Sequence, residues 1–117
     1  MDKYTKGMQG QHVAEKYIQG KGYCILARNY RVRTGEIDII ARSGEFVVFI
    51  EVKYRSGLAY GYPRESVDSG KQQRIIRTAM HYISTHGLDE HFRFDVIEIL
   101  EQDGKVYANH IENAFEA

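Results

Sequence analysis

A mixed β-sheet flanked by helices, in the order α-β-β-β-α-β-β, is the α/β fold that this 117-residue sequence predicts. Three observations carry it. Two stretches repeat apolar residues at helical spacing. Five others are β-branched, aromatic or alternating, as strands are. Gly-containing turns and a single proline punctuate them. The length is that of one domain, so residues 1–117 read as one unit. Hydrophobic residues make up 43% of the chain, enough for one core.

Residues 5–21 form the first predicted helix. Val13, Ala14, Tyr17 and Ile18 make its apolar stripe, and Gly20 and Gly22 end it. "YCILARNYRVR" (23–33) is a strand that turns polar at its far end. Its Cys24, the only cysteine, sits among apolar neighbours and reads as a small buried hydrophobe. "GEIDIIA" (35–41) and "FVVFIEVKY" (46–54) are strands joined by a four-residue hairpin loop, "RSGE" (42–45). A polar loop, "RSGLAYGYPRES" (55–66), carries Pro63, Tyr60 and Tyr62. With Tyr54, these tyrosines are expected to pack against their own loop rather than stack on bases. The second helix runs from about Asp68 to His86, with Ile75, Ile76, Ala79, Met80 and Ile83 at helical spacing and Gly87 as the C′ residue. "RFDVIEIL" (93–100) alternates as a strand, and "GKVYANHI" (104–111) returns after the Asp103-Gly104 turn. Asp95 alternates with Ile97 and Ile99, so it faces inward and needs a hydrogen-bonding or arginine partner.

Several function classes are disfavoured. There is no apolar run of about 18 residues and no apolar leader segment, so the expectation is a cytoplasmic protein without membrane contact. The sequence lacks a Walker A motif, a GxGxxG after a strand and a GxSxG. His12, His81, His86, His91 and His110 show no zinc-site spacing. The formal net charge is zero, yet the charges are segregated. Residues 1–77 hold 14 Lys/Arg against 8 Asp/Glu, and residues 78–117 hold 2 against 8. Such a split allows a basic face beside an acidic one.

The chemistry-bearing stretch is "GEIDIIARSGEFVVFIEVKYR" (35–55). Alternate strand residues share a face. Folding the hairpin so that Ala41 pairs with Phe46 sets Asp38 opposite Phe49 and Glu36 opposite Glu51, with Lys53 on the same face. Carboxylates this close repel and need a neutraliser. Protonation, Lys53, a nearby arginine, or a hard divalent cation such as Mg²⁺ would each serve. The plainer alternative is an exposed sheet face with a Lys53 salt bridge.

Asp38, then Glu51-Val52-Lys53 on the next strand, resembles the PD-(D/E)xK nuclease superfamily. A closer resemblance covers roughly residues 6–115. "KGMQGQHVAEKYIQGKGYCILARNYRVRTGEIDIIA", "FIEVKYR", "YGYP", "RFDVIEI" and "IENAF" look like the YraN-type uncharacterised bacterial proteins, regarded as relatives of archaeal Holliday junction resolvases. The resemblance implies a single nuclease-like domain with a restriction-endonuclease-like fold. It implies Asp38 and Glu51 as ligands of Mg²⁺ or Mn²⁺, with the Val52 backbone carbonyl as a third. Lys53 would position the attacking water or stabilise the phosphorane, and Glu36 would support a metal ligand from behind or hold a second metal. The family's first helix usually has a Glu where this chain has Gln11. Gln11 can coordinate through its carbonyl oxygen, and Glu15, one turn later, is the alternative.

DNA is the implied partner, and a C₂ homodimer is the natural match to a four-way junction. Arg28, Arg31, Arg33 and Arg55 fit a phosphate-binding rim. Lys71, Arg74 and Arg77 on the second helix read either as a solvated face or as further phosphate contacts. Three functions stay in view: a metal-dependent DNA endonuclease, a nucleic-acid-binding module with a decayed site, and an interaction domain using the acidic 89–117 segment.

Overall fold

The computed structural model describes the backbone of residues 3–56 and 67–117, and side chains over 9–55 and 67–117. The loop containing Tyr60, Tyr62 and Pro63 lies outside the described residues. The elements follow the expected order: α1 (Lys3–Gly20), β1 (Cys24–Val32), β2 (Gly35–Ser43), β3 (Phe46–Ser56), α2 (Ser69–His86), β4 (His91–Gln102) and β5 (Lys105–Phe115). The strands form one sheet in the order β1-β2-β3-β4-β5. Only β3 and β4 run parallel, because α2 lies in the crossover between them.

One helix covers each face. Ala14 and Ile18 of α1 pack on Ile39, Ala41, Val48, Ile50, Ile97 and Ile99. Ile75, Ala79 and Tyr82 of α2 pack on Ile40, Val47, Phe49, Phe94 and Val96. This three-layer arrangement buries both faces of the central strands, so β3 reads as a continuous apolar run before Glu51. The α1 layer sits close at Gly10, where a Cβ would meet the Tyr54 ring at 3.1 Å. Tyr54 itself packs in the α1 layer, and its hydroxyl donates to Glu101.

Asp68 caps α2 by accepting the Lys71 N–H at 2.8 Å. Gly87 ends the helix at φ 59°, the left-handed conformation a C′ glycine supplies.

Five expectations are corrected. The β2–β3 register pairs Ser43 with Phe46 and Ile40 with Phe49, two residues away from the expected one. Gly44, at φ 58°, permits a tight two-residue Gly44-Glu45 turn in place of a four-residue loop. Strict alternation also fails in β2. Ile37 and Ile40 pack in the same α2 layer, while Ile39 and Ala41 pack in the α1 layer. The strand therefore turns over at Asp38, beside Asn29 of β1, whose φ is 50°. Cys24 is exposed, not buried. It lies on an edge strand, and Tyr23 and Ile25 take the α1 side, leaving Cys24 and Leu26 on a side that α2 does not cover. Met80 is 54% exposed, because α2 turns Thr78 and Tyr82 inward instead.

Candidate functional site

The β2–β3 ladder stops at the Ile39–Ile50 pair. Beyond it the strands part, and a side chain replaces the missing backbone acceptor. Asp38 Oδ2 accepts the Val52 N–H at 2.8 Å. In a strand a residue's N–H and C=O point to the same side. The Val52 carbonyl is thus offered to the same gap as the Asp38 carboxylate. Glu51, only 7% exposed, stands on the α2 face of β3 with Phe49 and Lys53.

The first turn of α2 completes the cluster. Lys71 Nζ lies 3.0 Å from Glu51 Oε1, and Lys53 Nζ lies 3.9 Å from the same oxygen. Gly35, Glu36, Asp38, Glu51, Lys71 and Arg74 line a cavity of about 200 Å³. The structure therefore places Glu36, Asp38 and Glu51 along one cleft, with Lys53 3.9 Å from Glu51. It moves Lys71 from a helix surface into the carboxylate cluster.

Burial raises the Asp38 carboxyl to about 7, with the Glu51 charge adding to it; the Val52 N–H only partly offsets this. Lys53 is lowered to about 8, first by burial and then by the adjacent Lys71 ammonium. Burial opposes charge on Lys71 most strongly, but Glu51, the Lys53 hydrogen bond and Asp38 together outweigh it and hold its pKa above the ordinary lysine value. The outcome is a division of labour. Lys71 stays cationic, while Lys53 has a neutral fraction near pH 8 that can accept a proton or hold a water.

The donors around Asp38 are all oxygens: two carboxylates and a backbone carbonyl. That is the chemistry a hard divalent cation selects, with water filling its remaining positions. Among the described residues, no three His, Cys, Asp or Glu side chains converge as a complete cage. Asp38, Glu51 and Val52 could therefore hold such an ion only with solvent as co-ligand.

The other predicted residues are placed as follows. Gln11 is nearly buried and exchanges both amide bonds with Asn29, at 3.0 Å each. Asn29 in turn donates to Glu36 at 3.3 Å. Gln11 thus reaches the cleft through Asn29. Glu15 pairs with Arg28 at 2.8 Å, Arg31 with Glu36 at 3.1 Å, and Arg55 with Glu98 at 2.6 Å. Arg33 and Arg74 have no carboxylate partner among the described residues, and Arg74 lines the cleft.

Sequence reasoning missed Glu98, only 2% exposed, which sits beside Lys53 in the parallel register. Its signal was available: Glu98 shares an alternation with Phe94 and Val96. It also missed Asn29, whose turned-over backbone has no local signature.

Asp95 has the expected arginine partner, and more. It accepts from Arg93 at 2.9 Å and from the Asn113 N–H at 3.0 Å, and binds His110 Nε2 at 2.7 Å. Lys21 Nζ lies 3.0 Å from His110 Nδ1. A lysine ammonium only donates, so the network assigns Nε2–H to the Asp95 side.

Fold and cleft define an α/β protein with a carboxylate–lysine cleft where a sheet ladder opens beneath a helix N-terminus. The uncharacterised protein family UPF0102 matches residues 10–99. The UPF0102 protein of Lachnoclostridium phytofermentans is 43% identical over 119 residues, covering 100% of this chain and 98% of its own. That of Clostridioides difficile is 45% identical, over 98% of this chain and 100% of its own. That of Clostridium tetani is 50% identical, over 86% and 84%. The chain belongs to the UPF0102 family.

Proposed function

We propose that this chain is a metal-dependent endonuclease that hydrolyses DNA phosphodiester bonds, with branched or junction DNA as its preferred class. The observation that carries the reading is the opened ladder. There Asp38 accepts the Val52 N–H, and Glu51 lies beside two lysines whose pKa values are pushed in opposite directions. Asp38, Glu51 and Val52 would hold Mg²⁺ or Mn²⁺. When bound, the ion would polarise the phosphoryl oxygens and lower the pKa of a coordinated water. Lys53 holds the attacking water and receives its proton. Lys71, 3.0 Å from Glu51, adds positive charge where the pentavalent phosphorane develops. Glu36 extends the acidic edge and is oriented by Asn29 and Arg31. The resemblance to PD-(D/E)xK nucleases supports the same roles. Action on a four-way junction would call for a two-fold dimer, one cleft per scissile strand.

A second reading is favoured by one observation. Gln11 brings no charge and is tied up with Asn29, so the chain would bind nucleic acid without cutting it. The experiment that separates them is a labelled panel of single-stranded, duplex, flapped and four-way-junction DNA, with Mg²⁺ and with Mn²⁺. Cleavage by wild type that disappears in Lys53→Ala is the expected result. DNA binding with no cleavage on any substrate would establish the binding module instead. No helix among the described residues is long and apolar enough to cross a membrane.

A further inference from the structure

Most arginines here are neutralised by a carboxylate within the chain. Arg28, Arg31, Arg42, Arg55 and Arg93 each have one. Among the described residues Arg33, Arg74 and Arg77 have none. These three are not scattered. Arg74 lines the cleft beside Asp38 and Glu51. Arg77, one turn further along α2, faces Arg33 across a second cavity of about 540 Å³. That groove runs between the β1–β2 turn (32–34) and α2, with Met80, Ser84 and Thr85 along its helix side.

The groove walls are fixed by two polar ties. Thr34 and Thr78 hydroxyls meet at 3.0 Å, and the Tyr30 hydroxyl lies 2.6 Å from His81 Nδ1. The channel is therefore set before any ligand arrives, which lowers the entropy cost of binding. Unpaired guanidiniums lining a preformed groove fit phosphate oxygens, which they grip bidentately. Exposed Met80 offers an apolar surface to the sugars between them.

We propose that this groove is the track for the flank of the DNA strand that leaves the cleft, with Arg74, Arg77 and Arg33 contacting successive phosphates. The proposal rests on the nuclease reading and names where its substrate lies. From Lys71 to Thr85 the helix rises about 21 Å, about six nucleotides at 3.4 Å per step. The strand on one side of the scissile bond should be covered over that length.

The test is binding of fluorescently labelled duplex and junction DNA by anisotropy without divalent ions, across a potassium chloride series. Arg33→Ala/Arg77→Ala is compared with wild type and with Arg42→Ala, whose guanidinium is already held by Glu90. Both changes are at exposed positions, and circular dichroism checks that the variants fold. The double variant should lose on the order of tenfold or more in affinity. Its log–log salt slope should fall by about 2, one per lost phosphate contact. Arg42→Ala should bind as wild type does. Unchanged affinity and slope in the double variant overturn the groove while leaving the nuclease reading intact. An Arg42→Ala loss as large as that of the double variant would also overturn it, since charge alone would then explain binding. A wild type that binds no DNA overturns both. Groove-dependent binding without any cleavage supports the track and removes only the catalytic reading.

Discussion

If the proposed nuclease reading holds, Asp38→Asn is expected to abolish cleavage while leaving the metal-free protein at least as stable as wild type at pH 8. The amide keeps an oxygen for the Val52 N–H and removes a buried negative charge beside Glu51. The loss of activity should exceed the 10–100-fold that an outer partner of a metal ligand typically costs. The stability effect has a defined sign. Asp38 titrates at about 7 in the folded chain and at 3.8 unfolded, so the folded state holds its proton more tightly. Its contribution is fully present below the unfolded value and is lost as pH rises toward about 7. Wild type should therefore lose unfolding free energy across that window, and Asp38→Asn should show a flatter profile. Adding Mn²⁺ or Mg²⁺ at pH 8 should raise the wild-type Tm and leave the variant unmoved. A wild-type Tm indifferent to both ions, with Asp38→Asn cutting normally, would remove Asp38 from the site.

Asp95→Ala has the largest expected effect on folding. It deletes a fully buried carboxylate, leaving the Asn113 N–H and His110 Nε2 without their acceptor and Arg93 with only the Tyr23 hydroxyl and Glu112. Breaking a buried pair by removing one partner costs about 3–5 kcal/mol. The bulge at Asn113, whose φ is 52°, loses the acceptor that holds it as well. Burial alone would raise the Asp95 pKa, but the bonds from His110, Arg93 and Asn113 outweigh it and hold it below the ordinary carboxylate value. Its contribution is therefore present above the unfolded pKa and lost as pH falls through the lower folded one. The half-buried Asp38 and the buried Asp95 push in opposite directions, one penalising neutral pH and the other strong acid. Urea denaturation of wild type and Asp95→Ala at pH 7 tests the magnitude. A difference below about 1 kcal/mol would show that the network is dispensable.

The elements and the acidic cluster were legible because both are local signals. Asp38, Glu51 and Lys53 interrupt apolar strands, and Asp68 and Gly87 bracket a helical period. The register was not legible, because Gly44 accepts turns of more than one length and a two-residue slip preserves the same alternation. The break in β2 at Asp38 depends on Asn29 of the neighbouring strand. The pairing of Lys71 with Glu51 depends on where a crossover helix lands. Glu98 meeting Arg55 depends on a parallel register between strands far apart in sequence. These last three are contacts that no short window contains.

The parallel joint between β3 and β4 has a consequence for the order of assembly. The β1–β2–β3 meander closes through short turns, so it can form early. Pairing β3 with β4 must first close the long excursion through α2, and that entropy is spent before the contacts return it. Asp38 and Glu51 belong to the early unit, and Lys71 belongs to the late one. A folding chain would thus hold two crowded carboxylates before their ammonium arrives. Pulse-labelled hydrogen exchange during refolding should show β2 and β3 amides protected ahead of those in α2 and β4. Simultaneous protection would mean that the crossover docks in the first step.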